Sequence, residues 1–175
     1  MKAVFFDRDG VLNECEVRDG LPYAPTRIED VKVFPDAADA LARLKRAGYL
    51  LLVATNQPDV SRGVLSRADV EVINADMGAR LPIDAFLVCW HDDADGCACR
   101  KPKPGLLLDA AARYGIDLPN SYFIGDRWRD VEAGAAAGCR TILIDHKYRE
   151  RTPAVEPDFR TNSLSAAADW ILQTH

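Results

Sequence analysis

The sequence predicts one α/β domain built on a central parallel sheet. The chain has 175 residues, enough for a single core, and 48% of them are hydrophobic while 28% are charged. Short apolar runs alternate with stretches of helical periodicity along the whole chain, so each strand is expected to connect to the next through a helix. Right-handed crossovers would cover both faces of the sheet and bring the carboxyl ends of the strands to one edge.

Short apolar runs bounded by turn-forming or polar residues predict the strands of this sheet. Their continuous apolar character is typical of strands that are buried on both faces. Segments 21–25 and 152–157 contain proline and are predicted to be loops. The predicted strands cover residues 3–6, 49–54, 85–88, 122–124 and 141–144.

Helices are predicted between these strands from apolar stripes and from start and stop signals. Ser66 is a suitable N-cap, and Pro104 is favourable in the first turn of a helix. Gly48 and Gly115 each follow a periodic segment, as expected of helix C-termini. The predicted helices cover residues 36–47, 66–79, 104–114, 130–137 and 163–173.

Composition restricts the classes of partner and compartment. Lys and Arg total 22 against 27 Asp and Glu, which gives a formal net charge of −5. Nucleic acids and anionic membranes need a basic binding surface, so neither is expected as a partner. The amino terminus lacks the apolar length of a signal peptide, and an odd number of cysteines, 5, does not suit a secreted disulfide framework. A cytoplasmic location is therefore expected, and a monomer is the default expectation because the sequence shows no oligomer interface.

Asp7 and Asp9 directly follow the first predicted strand, where their carboxylates would point to the same side. Two negative charges at such a short distance repel each other, and a bound cation would relieve the repulsion. Oxygen ligands of this kind suit Mg²⁺, which completes its coordination with water and substrate phosphate. Alternatively, Asp9 and Gly10 form a simple turn that Asp7 caps.

Further polar residues follow other predicted strands. Asp126 follows Gly125 at the end of the fourth strand and would complete the cation site, while Asp130 has an alternative role as the N-cap of the next helix. The second strand ends in three polar residues whose side chains would hold phosphate oxygens, unless they only form a turn. These are Thr55, Asn56 and Gln57.

A basic, proline-rich segment precedes the helix that is predicted at 104–114. Arg100, Lys101 and Lys103 lie within it, in an otherwise acidic chain. Because proline restricts its own backbone and that of the preceding residue, the segment is expected to be stiff. It would hold its positive charges near the carboxylates and balance a phosphate with its metal. The alternative is an ordinary solvated basic loop.

Cysteine and histidine are concentrated in residues 89–99. Cys89 and His91 form one pair of possible ligands, and Cys97 and Cys99 form another. Three thiolates and one imidazole are a complete tetrahedral set for Zn²⁺ and leave no position for water, so the pattern predicts a structural zinc site. The alternatives are two unrelated thiol pairs or an adventitious disulfide.

Taken together, these motifs resemble those of the haloacid dehalogenase-like phosphohydrolases. The four motifs of that family correspond to DRDGV, the Thr55 position, the lysine of RKPKPG, and GDRWRD, in that order at four strand ends. The resemblance implies a three-layer, Rossmann-like fold in which residues 1–175 form a single domain. The zinc loop, residues 89–99, would be inserted before the third-motif segment.

This resemblance also implies roles for individual residues. Asp7 would be the nucleophile that forms an aspartyl-phosphate, and Asp9 the general acid and base. Thr55 and Lys101 would assist catalysis, with Lys101 neutralising the phosphoryl group. Mg²⁺ would be bound by Asp7, by Asp9 through its backbone carbonyl and by Asp126, with Asp130 in support.

The zinc loop followed by CRKPKPG narrows the resemblance to one subgroup of the family. It contains the D-glycero-D-manno-heptose 1,7-bisphosphate phosphatases and the histidinol-phosphate phosphatases, which lack a large cap domain. Arg100, Arg127, Asn56 and Gln57 would bind substrate. The expected substrate is a sugar phosphate, specifically the heptose bisphosphate at its 7-phosphate. Histidinol phosphate, or a broad range of small phosphate esters, is the alternative.

Overall fold

The computed structural model describes residues 1–174, and within them the main sheet has six strands, all parallel. Their order is β5-β4-β1-β6-β7-β8, so β1 lies in the interior of the sheet between β4 and β6. The predicted parallel sheet is thereby confirmed. The strands are β1 (Ala3–Phe6), β4 (Leu50–Asn56), β5 (Ala85–Cys89), β6 (Tyr122–Gly125), β7 (Arg140–Ile144) and β8 (Phe159–Thr161).

Helices cover both faces of this sheet, and the alternation of side chains in β1 shows why. Val4 and Phe6 pack into one core with α1, α2 and α5, whereas Ala3 and Phe5 pack into the other core with α3 and α4. Both faces of β1 are therefore fully apolar, as its sequence predicts. The helices are α1 (Ala37–Arg46), α2 (Arg67–Arg80), α3 (Gly105–Tyr114), α4 (Trp128–Ala137) and α5 (Leu164–Gln173).

Segment 21–25 is not entirely a loop, contrary to the prediction. Residues Glu16–Arg18 form β2 and Leu21–Tyr23 form β3, and the two pair antiparallel in a hairpin outside the main sheet. The hairpin is short and largely exposed, so its sequence carries no core-facing alternation that would reveal it. β8 was missed for a similar reason, because it is a three-residue strand at the edge of the sheet.

Within residues 1–174, no helix has both the length and the apolar character needed to cross a membrane.

Candidate active site

The predicted site residues converge where the carboxyl ends of β1, β4 and β6 meet. Because these strands are neighbours and parallel, the residues that follow them emerge side by side. An open cleft of about 210 Å³ lies there. Its lining includes most of the residues that the sequence singles out, namely Asp7, Asp9, Asn56, Gln57, Arg100, Lys101, Arg127 and Asp130.

At the centre of the site, the ammonium group of Lys101 lies between two carboxylates. Its Nζ is 2.9 Å from Asp7 Oδ1 and 2.6 Å from Asp130 Oδ1, and its side chain is 2% exposed. Burial alone would lower the pKa of Lys101, but the charges of Asp130 and Asp7 outweigh it and raise that pKa. Lys101 is therefore held as a cation directly beside Asp7.

Asp7 lies in an environment that disfavours its charged form. Burial raises its pKa to about 6, and the charge of Lys101 opposes this effect while Asp130 and Asp9 add to it. A carboxylate in this position has a basic oxygen and a neighbouring cation that would attract a phosphate group.

Asp126 is the carboxylate of the cluster that has no direct ion pair with Lys101. Both of its oxygens are buried without a hydrogen bond of good geometry within residues 1–174, although the hydroxyl group of Tyr148 lies close enough to lower the pKa of Asp126. Burial, followed by the charges of Asp7 and Asp130, raises the pKa of Asp126 well above its usual range. Carboxylate oxygens of Asp7, Asp126 and Asp130 lie within 4.8 Å of one another. Such a group of buried anions, of which Asp126 lacks a hydrogen bond of good geometry in the described chain, fits a bound cation.

Asp130 does not serve as an N-cap, which corrects the alternative that its sequence position allows. The helix α4 begins at Trp128 with Arg127 as the N-cap, so Asp130 lies at the third helical position. Its Oδ2 accepts hydrogen bonds from the backbone N–H groups of Asp126 (3.2 Å) and Arg127 (3.0 Å). Asp130 thus fixes the strand end that carries Asp126 while its other oxygen binds Lys101.

Glycine allows this close approach at two positions. A Cβ atom on Gly125 would lie 2.0 Å from the Cβ of Asp130. One on Gly10 would lie 1.9 Å from Asp126 Oδ2, and the φ of Gly10 is +88°. Any side chain at either position would displace a carboxylate of the cluster.

The side chain of Asp9 is held apart from that cluster by a separate network. Arg8 donates to both of its oxygens, from Nε at 3.2 Å and from Nη2 at 3.1 Å. Asn13 and Gln57 donate to it as well, at 3.0 Å and 2.9 Å. Arg8 is fully buried and is anchored on Asn74 of α2 at 2.8 Å. The carboxyl of Asp9 therefore lines the cleft in a fixed orientation.

The polar residues at the end of β4 and directly after it form hydrogen bonds with other residues of the site. Gln57 also donates to Thr55 Oγ1 at 3.0 Å, and Thr55 is only 1% exposed. The amide of Asn56 pairs with the backbone of Lys101, as acceptor from its N–H at 3.1 Å and as donor to its carbonyl at 3.2 Å. These residues lie where the sequence predicts, and their side chains hydrogen-bond to Asp9, to one another and to the Lys101 backbone.

Arginines surround the mouth of the cleft, and each is paired with a carboxylate. Asp93 binds both Arg100 Nε (2.8 Å) and Arg129 Nη2 (3.2 Å). Arg127 binds Glu150 at 2.6 Å. In the loop after β4, Arg62 binds Asp92 at 2.7 Å. The outer part of the cleft is therefore lined by guanidinium groups.

Arg62, Arg129 and their acidic partners are among the site residues that sequence reasoning missed. Arg129 directly precedes Asp130 in GDRWRD, and this adjacency was a usable signal. Arg62 and Asp92 belong to separate loops, so only the folded chain shows that they meet.

The four predicted zinc ligands come together in one cluster beside the cleft. Cys99 Sγ lies 3.2 Å from Cys89 Sγ, 3.4 Å from Cys97 Sγ and 3.4 Å from His91 Nδ1. Cys89 Sγ lies 3.7 Å from both Cys97 Sγ and His91 Nδ1, and tetrahedral Zn²⁺ with sulfur ligands has separations of about 3.7 Å. All five cysteines in the described chain are free thiols, which argues against the disulfide alternative. The donor set fits Zn²⁺.

Comparisons with known proteins agree with this geometry. Residues 16–138 match the haloacid dehalogenase-like hydrolases. The chain is 35% identical to the D-glycero-beta-D-manno-heptose-1,7-bisphosphate 7-phosphatase of Bordetella bronchiseptica, over 99% of both chains. It is also 35% identical to the protein of that name from Pseudomonas aeruginosa, over 97% of both chains.

A solved structure resembles this fold closely. It is the crystal structure of the D,D-heptose 1,7-bisphosphate phosphatase from B. bronchiseptica complexed with magnesium and phosphate. The TM-score is 0.86 and the identity 34%, with 100% of each chain covered.

Proposed function

The chain belongs to the haloacid dehalogenase-like hydrolases, and we propose that it hydrolyses the 7-phosphate of D-glycero-D-manno-heptose 1,7-bisphosphate. The observation that carries this proposal is the buried Lys101 between Asp7 and Asp130, at the floor of a cleft with an arginine-lined mouth. Such a floor suits a phosphate group at the point of reaction. The mouth suits a second anionic group on the same substrate.

The proposed reaction proceeds in two displacements. A carboxylate oxygen of Asp7 attacks phosphorus, the bond from phosphorus to the sugar oxygen breaks, and Asp9 gives its proton to the departing oxygen. Asp9 then takes a proton from water as the water oxygen attacks the phospho-aspartate, which releases phosphate and restores Asp7. Throughout, Lys101 offsets the negative charge beside Asp7. Thr55 supports Gln57, which orients Asp9.

Asp7 and Asp126 would hold Mg²⁺ together with the backbone carbonyl of Asp9. The buried oxygens of Asp126, which lack a hydrogen bond of good geometry within the described residues, support this assignment, whereas both oxygens of Asp130 are already engaged by Lys101 and by backbone N–H groups. When bound, Mg²⁺ supplies positive charge that neutralises phosphate oxygens and orients them for attack. Asp130 therefore positions Asp126 and Lys101.

Zn²⁺ would be held by Cys89, His91, Cys97 and Cys99, with a structural role. The thiol and imidazole donor set and its nearly tetrahedral spacing support this proposal. Because Cys99 is followed directly by Arg100 and Lys101, bound zinc would fix the amino-terminal end of the basic segment. Zinc analysis of the purified protein should give about one equivalent per chain if this proposal is correct.

The arginines around the cleft favour the heptose bisphosphate over histidinol phosphate. The bisphosphate carries a second phosphate that Arg62, Arg100, Arg127 or Arg129 would bind, whereas histidinol phosphate carries a cationic amine. Asp59 would repel a second phosphate, but it lies 3.4 Å from Arg62, which reduces its effect.

Steady-state kinetics on the two compounds in parallel test the proposed substrate. We expect the higher kcat/KM for the heptose bisphosphate, with release of the 7-phosphate identified by phosphorus NMR. A higher kcat/KM for histidinol phosphate would reverse the assignment. Similar values for many small phosphate esters would instead indicate a broad phosphatase.

We also propose that the enzyme acts in the cytoplasm as a monomer. A cluster of three cysteines and one histidine suited to a metal favours a reducing compartment, which supports the location. Light scattering on the purified protein should give a mass close to 19.3 kDa.

A further inference from the structure

The Lys101 side chain is at the centre of the site, but its backbone belongs to an irregular segment. That segment runs from the last zinc-cluster residue, Cys99, to the start of α3 at Gly105. No helix or strand hydrogen bonds hold the peptide groups of Lys101 in the described chain. Other residues must therefore fix the position of its ammonium group beside Asp7.

Asn56 makes one of these connections from a rigid position. It is the last residue of β4 and pairs in register with Cys89 of β5. Its Oδ1 accepts a hydrogen bond from the N–H of Lys101 at 3.1 Å, and its Nδ2 donates one to the carbonyl of Lys101 at 3.2 Å. One side-chain amide thus satisfies both polar groups of the Lys101 backbone, as a neighbouring strand would.

Arg129 makes a second connection, from the helix that follows β6, whereas Asn56 lies on β4 at the other side of β1. Arg129 lies in the first turn of α4, directly before Asp130. Its Nη1 donates to the Lys101 carbonyl at 3.1 Å, and Asp93 holds the same guanidinium through both carboxylate oxygens at 3.2 Å. The carbonyl of Lys101 is therefore shared by an amide from β4 and a guanidinium from α4.

We propose that Asn56 and Arg129 are positioning residues that fix Lys101 against Asp7. In this role, Asn56 acts through the Lys101 backbone and not by binding substrate phosphate. The inference rests on the proposed phosphatase function, and it deepens that function by naming what holds its central cation. Small displacements of a catalytic group lower the rate of the chemical step more than they lower binding.

Asn56→Ala in the full-length protein, with bound zinc verified and Mg²⁺ present, tests the proposal. The substrate is p-nitrophenyl phosphate, whose only anionic group is the reacting phosphate, so a direct contact between Asn56 and phosphate would appear in KM. We expect kcat to fall about 10- to 100-fold while KM and the inhibition constant of inorganic phosphate change less than about twofold. Asn120→Ala, an exposed asparagine paired with Asp117, is the matched control.

Hydrogen exchange supplies a readout that does not depend on turnover. The N–H of Lys101 donates to Asn56 Oδ1, so we expect its exchange, resolved by NMR, to accelerate in Asn56→Ala and not in the control. Arg129→Gln provides a second variant that keeps Asn56 intact. It should lower kcat with little change in KM, whereas Arg113→Ala, an exposed arginine of α3, should not.

The proposal is overturned if Asn56→Ala raises KM and the phosphate inhibition constant while kcat and the protection of the Lys101 amide are unchanged. Should Asn56→Ala fail to fold, an unchanged kcat in Arg129→Gln would overturn it equally. Failure of the proposed substrate looks different. The parent enzyme would then hydrolyse p-nitrophenyl phosphate but not the heptose bisphosphate, and the effects on Lys101 would persist.

Discussion

Two clusters of possible metal ligands lie side by side in this protein, and they are built in opposite ways. The cysteine and histidine cluster takes all four ligands from the short segment 89–99. The carboxylate cluster takes Asp7 from the end of β1 and Asp126 and Asp130 from the end of β6 and the start of α4. The first needs only the end of β5 and the loop that follows it to close on themselves, whereas the second needs strands of the sheet to be neighbours.

This difference predicts different dependences on the fold. A local cluster would draw its stability from the metal that it binds, because a short loop has little apolar surface to bury. The carboxylate cluster instead brings like charges together inside the protein, which opposes folding unless Lys101 and a cation compensate them. The core must therefore hold the active site in place, while zinc would hold the adjacent loop.

Asp7→Asn should have the largest effect on activity. Loss of the nucleophile is expected to lower kcat by about 10⁴-fold or more, measured as released phosphate. The variant should still fold. The pKa of Asp7 is raised from 3.8 to about 6, so its ionisation lowers the stability of the folded protein as the pH rises through this range, and asparagine removes that cost. Asp109→Asn, an exposed aspartate of α3, is the control. Turnover at the parental rate in Asp7→Asn would refute the nucleophile assignment.

Lys101→Met should have the largest effect on stability. It leaves Asp7 and Asp130 buried without their common cation, so the free energy of unfolding should fall by about 3–5 kcal/mol in urea denaturation without Mg²⁺. Added Mg²⁺ should restore part of the loss if Asp7 and Asp126 bind it. Equal stabilities of the variant and the parent would show that the charge of Lys101 does not offset these carboxylates.

Removal of zinc should affect the cysteine and histidine cluster much more than the sheet that carries the carboxylate cluster. We expect chelation to increase hydrogen exchange in residues 89–103 while the sheet keeps its protection, since that sheet has a core of its own. Activity with Mg²⁺ restored should fall about 10- to 100-fold, because the backbone before Lys101 would no longer be held in place. Unchanged activity in a protein shown to be free of zinc would contradict this link.

Arg62→Ala should have the smallest effect. Its ion pair with Asp92 is partly exposed, so the free energy of unfolding should fall by less than about 1 kcal/mol. If Arg62 binds the second phosphate, KM for the heptose bisphosphate should rise about tenfold while KM for p-nitrophenyl phosphate stays the same. Arg27→Ala, which removes an exposed pair with Glu29, serves as control. Equal changes for both substrates would exclude this role.

Sequence reasoning was most successful where the signal is local or strongly apolar. The buried runs of β1 and β6 and the capping residue Ser66 correspond to elements of the structure, because burial and capping leave clear patterns. The hairpin of β2 and β3 was missed, since exposed three-residue strands leave no such pattern. The structure brings Asp130 to Lys101, but the capping alternative for Asp130 is incorrect because α4 begins two residues earlier than predicted.

Sequence alone determined the types of residue at the strand ends and the grouping of cysteine and histidine in residues 89–99. Spacing suffices there, since nearby residues of one loop must remain close together. Only the tertiary structure decided that Asn56 and Arg129 meet at the backbone of Lys101, and that Arg62 reaches Asp92. These contacts join segments far apart in the chain, so they depend on the order of strands in the sheet and on the packing of helices against it.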